Sequence, residues 1–320
     1  MKRFDVIALG ELLIDFTENG LSDQGNFLME ANPGGAPCNV LAMLQQLGRK
    51  TAFIGKVGDD FLGHHLSSVI ENAGICTENL MFDRNIHTTL AFVHTFPDGD
   101  RDFSFYRNPG ADMSLTPEEV REDLIADSRL FHFGTLSMTH ESVRKATMKA
   151  LRCAKASGCI ISFDPNIREP LWESLDEARA QVACGMEFCD VLKISDNEIR
   201  WFTGKEDYDE GIRGLQDSFH IPLILLSMGK EGSRAYCKDM RVTVKPYLQK
   251  NTIETTGAGD TFCACCLNTV LEKGIESLTS RDLEEMLSFA NAAASLITTR
   301  KGALRVMPTM EEVLALQNNY

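Results

Sequence analysis

Thr255-Thr256-Gly257-Ala258-Gly259-Asp260 decides the reading of this 320-residue chain. Apolar Cys263, Ala264, Leu267, Val270 and Leu271 follow at three- and four-residue spacing, so the stretch opens a helix. A small-residue turn at a helix start aims several N–H groups with no intrahelical acceptor at one spot, and the helix dipole adds partial positive charge there. Such a place binds a phosphate or another developing anion. Asp260 puts a carboxylate into the same turn. Beside a phosphate alone it would repel; beside a hydroxyl attacking phosphorus it can accept the proton. The pairing points to phosphoryl transfer to an alcohol. Taken alone, Gly-Ala-Gly-Asp also fits an ordinary loop whose Asp260 caps the next helix.

Outward from this turn, short apolar runs at 6–9, 51–54, 130–133, 159–163, 191–194 and 222–226 alternate with helical patterns at 38–47, 61–72, 141–156, 175–188 and 283–298. Near-continuous apolar strands alternating with helices predict an α/β fold, a mostly parallel sheet covered on both faces. Ligands of such sheets bind beyond the carboxyl ends of the strands. Asp164-Pro165-Asn166, Ser195-Asp196-Asn197-Glu198 and Ser227-Met228-Gly229-Lys230 fall there. Residues 88–96, the turn Pro97-Asp98-Gly99, and residues 101–107 read as a β-hairpin, with Phe103, Phe105 and Arg107 on one face. With the irregular polar stretch 17–32 it predicts a small β-lid, about 16–32 and 87–108, within a single domain spanning 1–320. An ordinary surface hairpin fits the same residues.

Composition narrows the class. A net charge of −14, from 32 basic and 46 acidic residues, argues against nucleic acid or an anionic membrane as partner. Asp5 and Glu11 interrupt any signal-peptide core, and no apolar run is long enough to span a bilayer, so a cytoplasmic protein is expected. The ten cysteines form no paired C-x-x-C zinc framework and read as reduced core thiols. The seven histidines show no ligand spacing, and no structural metal is expected. Gly229-Lys230 is followed by Glu231, so there is no P-loop; Gly55-Lys56-Val57-Gly58 does not fit a dinucleotide fingerprint.

Two signatures then stand in order: Gly34-Gly35-Ala36-Pro37-Cys38-Asn39, with Gly48, Gly55, Gly58-Asp59-Asp60 and Gly63 after it, and Thr255–Asp260 near the end. With them the chain resembles, over essentially its whole length, the ribokinase-like (pfkB) family of carbohydrate kinases. That resemblance implies a three-layer fold, a central, mostly parallel sheet flanked by helices, with a β-lid. The segments 163–172, Arg107-Asn108-Pro109-Gly110-Ala111-Asp112 and Lys193-Ile194-Ser195-Asp196-Asn197-Glu198 look like those of fructokinases. The implied reaction transfers the γ-phosphate of ATP to a hexose hydroxyl, most simply the 6-position of D-fructose. Kinases of 2-keto-3-deoxygluconate, ribose or another furanose, and a non-catalytic sugar sensor, are the alternatives.

The resemblance assigns roles by position. Asp260 is the base, and the N–H groups of Gly257, Ala258 and Gly259 hold the transferring phosphoryl oxygens. Asp15, Gly34, Gly35 and Asn39 match sugar-binding positions, with Arg107, Asp164, Asn166 and Arg168 completing the surroundings. A structural pair of Arg168 with Asp164 or Glu169 is the competing reading. Lys193, Ser195, Ser227, Gly229, Lys230, Gly232 and Asn291 match nucleotide positions, and Glu198 acts on Mg²⁺ through water. Glu254 stands where the family usually has Asp as an oxygen ligand for K⁺, so K⁺ dependence is open. Ser195 replaces a common Asn, and Ala36-Pro37 stand where ribokinases often carry Lys, which favours hexose. The expected partners are ATP, a sugar and a second copy of the chain, since lids of this family often pair between subunits.

Overall fold

The computed structural model describes residues 2–95 and 101–320. The chain runs β1 (Phe4–Leu9), β2 (Leu13–Leu21), β3 (Phe27–Gly34), α1 (Ala36–Gln46), β4 (Thr51–Gly58), α2 (Phe61–Asn72), β5 (Cys76–Asp83), β6 (Leu90–Thr95), β7 (Arg101–Tyr106), α3 (Glu122–Ala126) and β8 (Ser128–Gly134). It continues through α4 (Glu141–Ala156), β9 (Ile160–Asp164), α5 (Leu175–Met186), β10 (Val191–Ser195), α6 (Asp196–Thr203), α7 (Tyr208–Phe219), β11 (Leu223–Ser227), β12 (Ser233–Cys237) and β13 (Met240–Val244). Helices α8 (Ala258–Lys273), α9 (Ser280–Ile297) and α10 (Met310–Asn319) close it.

Among the described residues, nine strands form one sheet in the order β13-β12-β11-β10-β9-β8-β1-β4-β5. Neighbours from β11 to β5 are parallel; β12 and β13 add an antiparallel edge. The central strands read as unbroken apolar runs because both faces are covered; β4 is buried along its whole length. One core packs the sheet against α1, α2, α8, α9 and α10, the other against α3 to α7. On the second side Phe133 and Phe163, on adjacent strands, stack with ring centroids 4.5 Å apart. The α/β layering expected from the sequence is the one found.

A second sheet, β3-β2-β6-β7, is the lid. It begins earlier than residue 16, because Leu13 and Ile14 already pair with Gly34 and Pro33, and Ile14 with Leu90. The stretch 17–32, irregular in the sequence, belongs to the β2–β3 hairpin. Its ladder shifts register between Glu18 and Leu21, which breaks the alternation a strand needs to be legible. β6 and β7 pair antiparallel, Leu90 opposite Tyr106. The turn Pro97-Asp98-Gly99 and the side chain of Phe103 lie outside what is described.

Candidate active site

The N-terminus of α8 organises the site. Gly257 is its N-cap with φ 76°, in the left-handed region where a side chain is strained, and a Cβ there would fall 2.7 Å from the Ala303 Cβ. Asp260 makes no capping bond. Its Oδ2 accepts a hydrogen bond from Asn39 Nδ2 at 2.8 Å instead, so the capping alternative fails. Burial raises the Asp260 pKa above the ordinary carboxylate value, against the pull of Asn39, Lys193 and Arg168. Asn39 Oδ1 is buried with no partner, an acceptor that an incoming hydroxyl would satisfy. Of the N–H groups assigned to an anion hole, that of Ala258 donates to the Thr255 carbonyl at 3.2 Å and closes the turn. That of Gly259 sits in the first helical turn, where no intrahelical acceptor exists, and the N–H of Asp260, which the sequence reading did not assign, sits beside it.

A cavity of about 480 Å³ opens in front of this turn, between the sheet and the lid. The lid contributes Leu13, Asp15 and Phe105; the core contributes Gly35, Asn39, Asn166, Arg168 and Asp260. Recession of Asp15 in the cavity pushes its pKa up to about 7; Arg168 opposes this, and Glu254 and Asp260 add to it. Gly34 lies behind the wall and makes room for Asp15: a Cβ there would fall 2.3 Å from its Oδ2. Arg168 Nη1 donates to Asn166 Oδ1 at 2.7 Å. Its charge is felt at Asp15 and Asp260, so it serves the cavity.

Two residues expected on the wall are not there. Arg107 follows the last residue of β7, where strand alternation ends, and turns under the lid; it is 5% exposed. Its Nε donates to Asp112 Oδ2 at 2.8 Å, Nη1 to Thr139 Oγ1 at 2.8 Å and Nη2 to the Leu136 carbonyl at 2.9 Å. A buried guanidinium needs those partners, and they leave it bracing the lid root. Asp164, 3% exposed, faces Lys193, with Nζ 3.0 Å from its Oδ2.

A second cavity, about 310 Å³, carries Ser227, Gly229, Lys230, Gly232 and Asn291 together with an apolar wall of Tyr247, Leu248, Phe262 and Ala294. Asn291 Nδ2 donates to the Lys245 carbonyl at 3.1 Å and so fastens the segment that carries Tyr247. The two cavities share Thr255 and Gly259: they meet at the start of α8. A third, about 280 Å³, is walled by Asn166, Arg168, Lys193, Ser195 and Glu198.

Glu198 Oε1 accepts from Ile167 N at 2.9 Å, and Oε2 from Ser195 N at 2.9 Å and Ser195 Oγ at 2.7 Å. Burial opposes ionisation, but Lys193 and these donors outweigh it and hold the pKa below the usual value. Ser195, expected to meet the nucleotide, is thus occupied as the N-cap of α6. Among the described residues no group of three or more His, Cys, Asp or Glu is placed to hold a metal ion. The donor set suits a hydrated Mg²⁺ that arrives on the nucleotide, touched through water by one carboxylate. Glu254 Oε1 accepts from Gly302 N at 2.8 Å, while the N–H groups of Ile253 and Glu254 donate to the Thr298 carbonyl.

Sequence reasoning missed Glu11, which is 5% exposed on the first cavity's wall and takes the N–H of Ala36 at 2.8 Å. Burial pushes it up to about 7. Its place just beyond the carboxyl end of β1 was the available signal. The Pro246–Thr252 side of the second cavity has no regular pattern and gave none.

Comparison with known proteins identifies the family and the fold. The family model "pfkB family carbohydrate kinase" matches residues 3–310. Probable fructokinase-2 of Arabidopsis thaliana is 40% identical over 314 residues, covering 97% of this chain and 94% of its own. The crystal structure of fructokinase with bound ATP from Xylella fastidiosa matches with a TM-score of 0.88 at 30% identity over 98% of both chains. That of fructokinase from Vibrio cholerae O395, in its fructose, ADP and calcium ion bound form, matches with a TM-score of 0.87 at 27% identity over 98% of this chain and 99% of its own. No helix among the described residues is long and apolar enough to cross a membrane. With its signatures at both ends, its lidded parallel sheet and a family match along nearly its full length, this chain belongs to the pfkB family of carbohydrate kinases and is a sugar kinase.

Proposed function

We propose that the protein is an ATP-dependent fructokinase that transfers the γ-phosphate to the 6-hydroxyl of D-fructose. The observation that carries the reading is the meeting of two cavities at Gly259, with the Asn39-held carboxylate of Asp260 at the junction. Fructose occupies the lidded cavity, its hydroxyls bound by Asp15, Asn39, Asn166 and Arg168, with Gly35 on the wall and Gly34 making room behind Asp15. ATP occupies the second cavity, along Ser227, Gly229, Lys230, Gly232 and Asn291, and carries Mg²⁺ with it as MgATP. Asp260 orients the 6-hydroxyl and takes its proton late, as a loose transition state requires. The first-turn N–H groups of α8 receive the charge on the phosphoryl oxygens.

A K⁺ ion would be held by Glu254 and carbonyls of the adjoining 298–302 loop. There it would stiffen the turn that leads into Thr255. Leu21, Phe27, Leu28 and Tyr106 are exposed on the lid, which supports a homodimer formed through it. Ten free thiols support a reducing, cytoplasmic setting.

Fructose-dependent ADP release by the wild type, set beside Asp260→Ala, tests the chemistry. The variant loses about 10²–10⁴-fold in kcat while fructose binding, followed by calorimetry, persists. A kcat within threefold of wild type would overturn the role of Asp260.

A further inference from the structure

Lys193 lies where all three events of the reaction converge. It projects from β10, is 5% exposed, and lines both the sugar cavity and the Glu198 cavity. A Cβ on Gly259, the residue shared by the sugar and nucleotide cavities, would fall 3.1 Å from Lys193 Nζ. The ammonium is therefore pressed against the first turn of α8. Asp164 holds it from behind, its Oδ1 and Oδ2 lying 3.2 and 3.0 Å from Nζ. Arg168 shares both cavities, but its guanidinium is directed to Asn166 Oδ1.

An ion pair buried this completely is poorly explained as a source of stability, because removing both charges from water offsets much of their attraction. Its location offers another reason. An ammonium has three donors, and Asp164 engages one side of it. The other side faces the junction through which a phosphoryl group must pass. Burial pulls the Lys193 pKa down, yet Asp164, Glu198 and Asp260 outweigh it and hold it above the ordinary lysine value. A fixed charge that needs no reorganisation during the reaction is the kind that lowers barriers.

We propose that Lys193 is a catalytic residue whose ammonium, held against the α8 N-terminus by the positioning residue Asp164, contacts the phosphoryl group in flight and balances the charge that builds on it. The inference rests on the sugar-kinase reading. In the step, the sugar hydroxyl oxygen forms a bond to the γ-phosphorus. The bond from that phosphorus to the β,γ-bridging oxygen breaks, its electron pair leaving with ADP. The hydroxyl proton passes to Asp260, and Lys193 keeps all of its own. Asp164, by this account, never touches the sugar.

The test compares wild type with Lys193→Met, Lys193→Arg and Asp164→Asn. Its readouts are kcat, the KM values for fructose and MgATP, fructose binding by calorimetry, and affinity for ADP with aluminium fluoride and fructose as a transition-state mimic. Lys193→Gln, which keeps a long polar side chain, replaces Lys193→Met should that protein not fold. The expected result is a kcat loss of about 10²–10³-fold for Lys193→Met, with fructose affinity within threefold of wild type and the mimic's affinity lost in step with kcat. Lys193→Arg recovers part of the rate. Asp164→Asn lowers kcat without raising the fructose KM. A neutral variant with wild-type kcat, or one that weakens fructose and the mimic equally, overturns the inference and leaves the kinase reading intact. A wild type that turns over no sugar overturns both.

Discussion

With Asp15 in its proposed sugar-binding role, sugar binding should be a proton-linked event. Asp15 sits at about 7 because of its recession, with Arg168, Glu254 and Asp260 as the charges facing it. In the unfolded chain it ionises near 3.9. Between those values the native state holds a proton that the unfolded state has released. Without ligand, stability therefore falls as pH rises from about 4 to about 7. Hydroxyls donating to the ionised form favour it, so fructose binding near pH 6.5 should release protons. Calorimetry in two buffers of different ionisation enthalpy reads this directly; a binding enthalpy independent of buffer contradicts it, and Asp15→Asn should remove the effect while Glu11 remains. Gly257→Ala is the second residue-scale prediction. It forces φ 76° on a side chain whose Cβ meets Ala303, a strain of about 1–3 kcal/mol, and should depress kcat more than fructose affinity. Asn39 and Asp260 were legible because they stand in the two signatures, and Asp15 and Arg168 through positions matched by the family resemblance; all four line the cavity. Arg107 and Asp164 were not, since sequence marks a charged residue near a strand end without saying whether it faces a ligand or a buried partner.

At the scale of elements, the lid matters most. β2, β3, β6 and β7 put Asp15 and Phe105 on the inner face, while Phe16, Phe92 and Tyr106 build an aromatic row on the outer one. A lid that seals the junction keeps water from taking the phosphoryl group. Phe105→Ala should therefore raise the fructose KM and increase ATP hydrolysis relative to sugar phosphorylation, measured as ADP formed per sugar phosphate. A ratio unchanged from wild type would argue against sealing by Phe105. The parallel strands and long helices such as α4 were readable from apolar runs and 3.6-residue periodicity. The β12–β13 hairpin and the eight-residue α6 were not, because β12 opens on Ser233-Arg234, the edge strand β13 is half-exposed, and a short helix presents too few apolar repeats to stand out. α6 instead announces itself through chemistry: Ser195 and Glu198 form a capping box, and the same Glu198 lines a cavity.

The whole molecule is a sheet buried between two helical layers, and its thiols report that burial. Cys38, Cys159, Cys189, Cys237, Cys263, Cys265 and Cys266 are buried, while Cys76, Cys153 and Cys184 are partly exposed. Burial raises the pKa of the thiols in the Cys263–Cys266 cluster, which suppresses the reactive thiolate. A thiol reagent should titrate the three partly exposed groups quickly in the native protein and all ten after unfolding; rapid native reaction at the α8 cluster would mean that the core opens far more readily than its packing implies. Function also belongs to this scale, since sugar, lid and nucleotide meet only in the assembled fold. The most direct measurement is ADP release with MgATP against fructose, ribose, 2-keto-3-deoxygluconate, glucose and fructose 6-phosphate, each with and without K⁺, the product of the best substrate being identified by phosphorus NMR. The account predicts selective turnover of fructose and a single product phosphorylated at the 6-position. Preference for another sugar would contradict the reading of the cavity, and no turnover of any would contradict a kinase centred on Asp260.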